Sequence, residues 1–123
     1  MIITLYGQPI TKKNHMQIIT CAGRPRLIQS KKYREYEKDC LSQLIKTETL
    51  KTQLHVKCLY WLETARKTDL TNLLAATHDI LQKAEIIEDD VLIKSVDGSR
   101  IMGKDKYTPR VEIFIEEFNA DNE

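Results

Sequence analysis

LHVKCLYWLETARKTDLTNLLAATHDILQKA, residues 54–84, changes its hydrophobic period partway along, and that change decides the fold. In the first part Leu54, Val56, Cys58, Tyr60 and Leu62 alternate with His55, Lys57, Leu59, Trp61 and Glu63. A period of two puts one set of side chains on each face of a β-strand, so this segment is expected to be a central strand. From Asp69 to Ala84 the apolar residues Leu70, Leu73, Leu74, Ile80, Leu81 and Ala84 recur at helical spacing, with Asp69, Asn72, Asp79 and Lys83 on a polar strip beside them. That is an amphipathic helix, and a strand followed closely by such a helix implies helices packed on a sheet.

The flanking sequence extends the same architecture. Met1 to Tyr6 is a short apolar run ended by Gly7 and Pro9, which predicts a strand. Gln17–Cys21 and Arg26–Gln29 flank Ala22-Gly23-Arg24-Pro25, whose Gly and Pro suit the turn of a basic hairpin or ordered loop. Ser30 is placed to cap a helix whose apolar positions are Tyr33, Tyr36, Cys40, Leu41, Leu44 and Ile45, ending near Thr47. Val91–Val96 and Val111–Phe118 are expected strands, joined by a Lys- and Arg-rich connection containing Gly98, Gly103 and Pro109. The order β, loop, α, β, α, β, β predicts a single α/β domain over residues 1–123, a mixed sheet with two amphipathic helices, with an acidic tail from about residue 117.

Composition excludes several classes. A chain of 123 residues, 41% hydrophobic and 30% charged, suits one ordinary globular domain. It has no run near the roughly 18 apolar residues of a membrane span, and its start lacks the pattern of a signal peptide, so no membrane contact and a cytoplasmic location are expected. Three scattered cysteines and three scattered histidines indicate neither a disulfide framework nor a zinc site. Net charge is only +1, but eight basic residues against two acidic ones lie between Lys12 and Lys38. Lys12, Lys13, Arg24 and Arg26 sit in loop-like sequence, where cations reach phosphates without disturbing packing; Lys31 and Lys32 extend the block.

Chemistry must come from carboxylates, since no Ser-His-Asp, Cys-His or Gly-rich phosphate-loop pattern is present. Asp69 opens the second helix and Asp89-Asp90 follow it. One or two carboxylates with a substrate phosphate suffice for magnesium, which keeps several waters. Asp69 equally suits a helix N-cap and Asp89-Asp90 a solvated turn, so spacing alone leaves both readings open.

In order and spacing these residues resemble the RusA family of Holliday-junction resolvases. Gly7-Gln8-Pro9 with Lys12-Lys13 is similar to the family's early Gly-x-Pro and basic element, and the Lys32–Glu37 stretch to the start of its first helix. Asp69-Leu70-Thr71-Asn72-Leu73, then Asp79-Ile80-Leu81 and Glu88-Asp89-Asp90, resemble the family's Asp-Leu-Asp-Asn-Leu, Asp-x-Leu and closing pair of aspartates. The resemblance implies magnesium-dependent cleavage of branched DNA in recombination and repair by a homodimer, with manganese as an alternative ion. It places Asp69, Asn72 and Asp90 in the catalytic set, Asp69, Asp90 and Asp89 at the metal with Asp79 as a further substitute carboxylate, and Arg100 as a basic residue near the site.

Two positions depart from the family pattern. Thr71 stands where the family has its second metal-binding aspartate, and Ala75 where it has a lysine. A neutral oxygen attracts a hard dication less than an anion does, and alanine brings no charge to a phosphate. The sequence therefore carries two functional readings: a branched-DNA endonuclease of weakened activity, and a non-catalytic relative that binds junction DNA or a protein partner.

Overall fold

The computed structural model describes residues 1–12 and 16–119, with strands β1 (Ile2–Tyr6), β2 (Met16–Cys21), β3 (Arg24–Gln29), β4 (Leu54–Leu62), β5 (Ile93–Ser95), β6 (Arg100–Lys104) and β7 (Arg110–Glu117), and helices α1 (Lys31–Gln43) and α2 (Leu70–Lys83). β4 is the central strand, and its alternation holds throughout: Leu54, Val56, Cys58, Tyr60 and Leu62 are all buried. One edge pairs antiparallel with β7, which in turn pairs antiparallel with β1. The other edge is shared by two parallel strands, β5 beside Leu54–His55 and β6 beside Leu59–Leu62. Between them the Cys58 N–H donates to Ser99 Oγ at 3.0 Å, so the break in the ladder leaves no orphaned donor there.

The buried face of β4 meets both helices. α1 contributes Tyr33, Tyr36 and Cys40; α2 contributes Leu73, Leu74, Ala76, Thr77, Ile80 and Leu81. Each fully buried large apolar side chain stabilises the fold by about 1.5–3 kcal/mol. The Tyr60 and Thr77 hydroxyls inside are paired, Thr77 Oγ1 donating to the Leu73 carbonyl at 3.0 Å and accepting from the Tyr60 hydroxyl at 2.7 Å, whereas the buried Tyr33 hydroxyl has no hydrogen-bond partner among the described residues. Cys40 and Cys58 are buried free thiols, and burial raises both, to about 11 and about 12. Among the described residues no helix is long and apolar enough to cross a membrane.

Four expectations need correction. The hairpin turn is two residues, Ala22 (φ 52°) and Gly23 (φ 77°), so Arg24 and Pro25 belong to β3; β2 and β3 form a separate two-stranded sheet, whose edge tolerates a proline. α1 stops at Gln43 rather than near Thr47. There the Gln43 amide accepts from Tyr6 N–H at 2.8 Å and donates to the Tyr6 carbonyl at 2.9 Å, while Ile45, Lys46 and Thr47 beyond it are exposed and have no face to bury. The strand expected over Val91–Val96 is a 3-10 turn, Asp90–Leu92, followed by the three-residue β5, because Asp89 captures the Val91 N–H. The Lys- and Arg-rich connection contains β6, whose place depends on β4 rather than on its own pattern.

Candidate functional site

α2 begins because Asp69 captures its first turn. Asp69 Oδ1 accepts from the Thr71 N–H at 2.9 Å and from the Thr71 hydroxyl at 2.6 Å, and a carboxylate is favoured at a helix N-terminus. Asp69 is exposed. Thr71, at the family's second aspartate position, is thus a donor bound to the first carboxylate. Asn72, the next residue, is half-buried.

The second acidic group lies toward the other end of the helix. Asp89 Oδ1 accepts from Val91 N–H at 2.9 Å, and the Asp90 N–H donates to Gln82 Oε1 at 2.8 Å. At about 1.5 Å per residue, Gln82 lies about 20 Å along the axis from Asp69. The Asp90 carboxylate also acts on His78, whose imidazole is held below its usual range first by burial, with Asp90 opposing. Thr71, Ala75, His78 and Gln82 fall on one helical stripe by their spacing, so the two acidic groups flank this stripe and exposed Ala75 lies between them. Among the described residues no group of three or more His, Cys, Asp and Glu side chains is placed to hold a metal ion.

The cations are distributed in three ways. Lys32 lines a cleft of about 170 Å³ with Arg66, Lys67, Gln8 and Pro9, next to Thr68 and hence beside the start of α2. Arg66 and Lys67 escaped the sequence reading, although a basic pair in the loop just ahead of Asp69 was a visible signal. Arg24 and Arg26 are exposed two residues apart on β3, so they share one face of the hairpin, and Arg100 is exposed at the start of β6 opposite Leu59. Exposed Lys31 makes a loose 3.8 Å pair with Glu35. Lys13 lies outside the described residues.

Lys12 is committed elsewhere. Its Nζ is 2.8 Å from Asp79 Oδ2, which is also 3.2 Å from Lys83 Nζ; these are close ion pairs whose angles fall short of aligned hydrogen bonds. Lys83 in turn donates to both carboxylate oxygens of Glu37, at 3.1 and 3.0 Å. Partial burial pushes the Asp79 carboxyl up, but Lys12 and Lys83 outweigh it and hold it below the usual carboxylate range. Asp79 is therefore neutralised by lysines, which leaves Asp69, Asp89 and Asp90 as the exposed carboxylates of the candidate site.

Chemically, Asp69, Asp89 and Asp90 are the exposed anionic oxygens a hard dication prefers, with Asn72 a neutral one, but Asp69 and the Asp89–Asp90 pair lie toward opposite ends of α2 and do not form one coordination set. Asp69 sits beside the cationic cleft of Lys32, Arg66 and Lys67, an arrangement suited to a nucleic-acid backbone. No curated protein gives a significant match to the chain. The family model for endodeoxyribonuclease RusA matches residues 7–116, from the Gly7 turn into β7. A match over that span takes in both helices, both acidic groups and every strand but β1, and the chain belongs to the RusA endodeoxyribonuclease family.

Proposed function

We propose that the protein is a structure-selective endodeoxyribonuclease of four-way junctions and other branched DNA, acting in recombination and repair in the cytoplasm as a homodimer, with weakened phosphodiester hydrolysis. The observation that carries this reading is the basic cleft of Lys32, Arg66 and Lys67 beside Asp69 in a chain of this family. Those three side chains anchor backbone phosphates, with Arg24, Arg26, Lys31 and Arg100 extending the contact over a larger substrate. A magnesium or manganese ion taken by Asp90 and Asp89, or by Asp69 at the start of α2, would neutralise phosphate charge and act as a Lewis acid.

The chain's own residues account for the weakening. Thr71 donates its proton to Asp69 instead of adding a second anion, and Ala75 leaves the α2 stripe without a cation facing the phosphate. These two features also favour a second reading, a relative that binds junctions without cutting them. Two-fold symmetric junctions suit paired sites, so sedimentation at micromolar concentration is expected to give a dimer rather than the 14.3 kDa monomer.

A nicking assay on a synthetic four-way junction, in magnesium, manganese or chelator, decides between the readings. Slow paired nicks that need the ion and disappear in Asp90→Asn, while binding persists, support the endonuclease. Binding without nicks selects the second reading. Rapid cutting by the unaltered protein overturns the account of Thr71 and Ala75.

A further inference from the structure

Tyr107 is 89% exposed, a large aromatic surface left in water, at the tip of the loop between β6 and β7. A single exposed aromatic is ordinary on a mobile tip. This tip is braced. Asp105 N–H donates to the Leu62 carbonyl at 2.7 Å, and Asp105 Oδ1 accepts from the N–H groups of Tyr107 (3.2 Å) and Thr108 (3.0 Å). Arg110 Nη1 then donates both to Asp105 Oδ2 at 3.0 Å and to the Thr108 carbonyl at 2.9 Å, while its guanidinium lies over the Trp61 ring, 4.0 Å from the centroid.

The surroundings are cationic. Lys104 and Lys106, just before Tyr107 in the chain, are both exposed, and Lys106 Nζ lies 5.9 Å from the Tyr107 centroid. Asp105, the carboxylate between them, is spent on Arg110 and the two N–H groups. Because Asp105 is bonded to Leu62, the tip stands at the same end of β4 as the loop leading to Asp69.

We propose that Tyr107 is a base-stacking residue: an unstacked nucleobase of branched DNA packs on its ring, and Lys104 and Lys106 hold the flanking phosphates. Every base has a π-face, so the contact is tolerant of sequence, and a ring carried on a braced backbone has only its own two side-chain torsions to fix on stacking. The inference rests on the branched-DNA reading above and adds what recognises the branch itself. Along the duplex arms each base pair is stacked on both faces; an opened branch point offers the free face that Tyr107 needs.

The test is titration of the full-length protein with a four-way junction and a matched duplex at several salt concentrations, using 2-aminopurine at the branch. Tyr107→Ala is expected to weaken junction binding about 10- to 100-fold, with a smaller loss on duplex, and to abolish 2-aminopurine quenching. Tyr107→Phe keeps both. The salt slope stays unchanged in Tyr107→Ala, because no cation is lost, and flattens by about one in Lys104→Ala or Lys106→Ala. An unchanged thermal melt shows that the exposed ring is not structural. If the unaltered protein binds the junction and Tyr107→Ala matches it in affinity and quenching, the stacking role is overturned while the branched-DNA reading stands; if the unaltered protein binds no DNA, that reading falls and takes this one with it.

Discussion

The inner face of β4 and the loops at its C-terminal end are neighbours along the chain and opposites in physics. On the inner face every side chain is buried and the Tyr60 hydroxyl is matched by Thr77. At the C-terminal end the backbone is pinned, by Gln8 at Glu63 and by Asp105 at Tyr107 and Thr108, but Arg66, Lys67, Lys104, Lys106 and Tyr107 project into water. The contrast teaches that one region supplies cohesion and the other supplies contact, so mutations in the two should fail in different assays.

The largest expected effect is on the inner side. Ile80, fully buried on α2 against β4, should lose about 3–4 kcal/mol of stability when changed to Ala, from lost transfer energy and the cavity left behind. Urea denaturation measures this. Below the transition the folded fraction should bind junction DNA normally; a binding defect in fully folded Ile80→Ala would break the division between cohesion and contact.

Next comes the chemistry. Thr71→Asp with Ala75→Lys should raise junction cleavage about 100-fold, near 3 kcal/mol of transition-state stabilisation. Asp at 71 sits in the first turn of α2, where the helix dipole offsets part of its repulsion from Asp69, so folding should survive. Adding Asp90→Asn should remove the gain and leave binding intact. A restored pair that is folded, DNA-bound and still inert would show that the stripe from Asp69 to Asp90 is not the reaction centre.

A third effect concerns the cleft. Replacing Lys32, Arg66 or Lys67 by Ala should flatten the salt dependence of junction binding by about one per residue, across all sequences alike. Stability should change by no more than about 0.5 kcal/mol, as for exposed positions generally. A stability loss comparable to Ile80→Ala would mean that the cleft is core in disguise.

The inner face was legible in the sequence and the loop end much less so, for a physical reason. Burial writes a period into the chain: two along residues 54–62, near 3.6 along α2, and a capping Ser30 before α1. Exposure writes none. β6, residues 100–104, has no alternation of its own and is a strand because β4 offers it an edge. The end of α1 depends on Gln43 finding Tyr6 across the fold, and Tyr107 matters because of what surrounds it in space. Asp69 and Asp90 stand out in the sequence as candidate metal-binding carboxylates and are both exposed, whereas their separation toward opposite ends of α2 follows from the Gln82–Asp90 hydrogen bond, which no local pattern announces. Asp79 and Lys12, a substitute carboxylate and a phosphate contact by sequence, are paired with each other in the structure, a partnership no local pattern announces.

That pair gives the smallest effect and the finest test, because it belongs to neither region: it ties the chain entering the basic hairpin to the outer side of α2. The side chains of Lys12 and Asp79 are 31% and 30% exposed, so solvent screens the pair and its worth should be under about 1 kcal/mol. The Asp79 carboxyl is depressed in the folded state by Lys12 and Lys83, which outweigh its partial burial. Its contribution is therefore fully present above the unfolded value of about 4 and is lost as pH falls through the lower folded value. Asp79→Asn should be slightly less stable than the unaltered protein from pH 5 to 8, and the gap should close progressively below about pH 4. Lys12→Ala should leave the salt slope of DNA binding unchanged, unlike Lys32→Ala, because its charge is already satisfied by Asp79. A gap that persists unchanged in acid would assign the effect of Asp79→Asn to packing, and a flattened slope in Lys12→Ala would return Lys12 to the DNA-contacting surface.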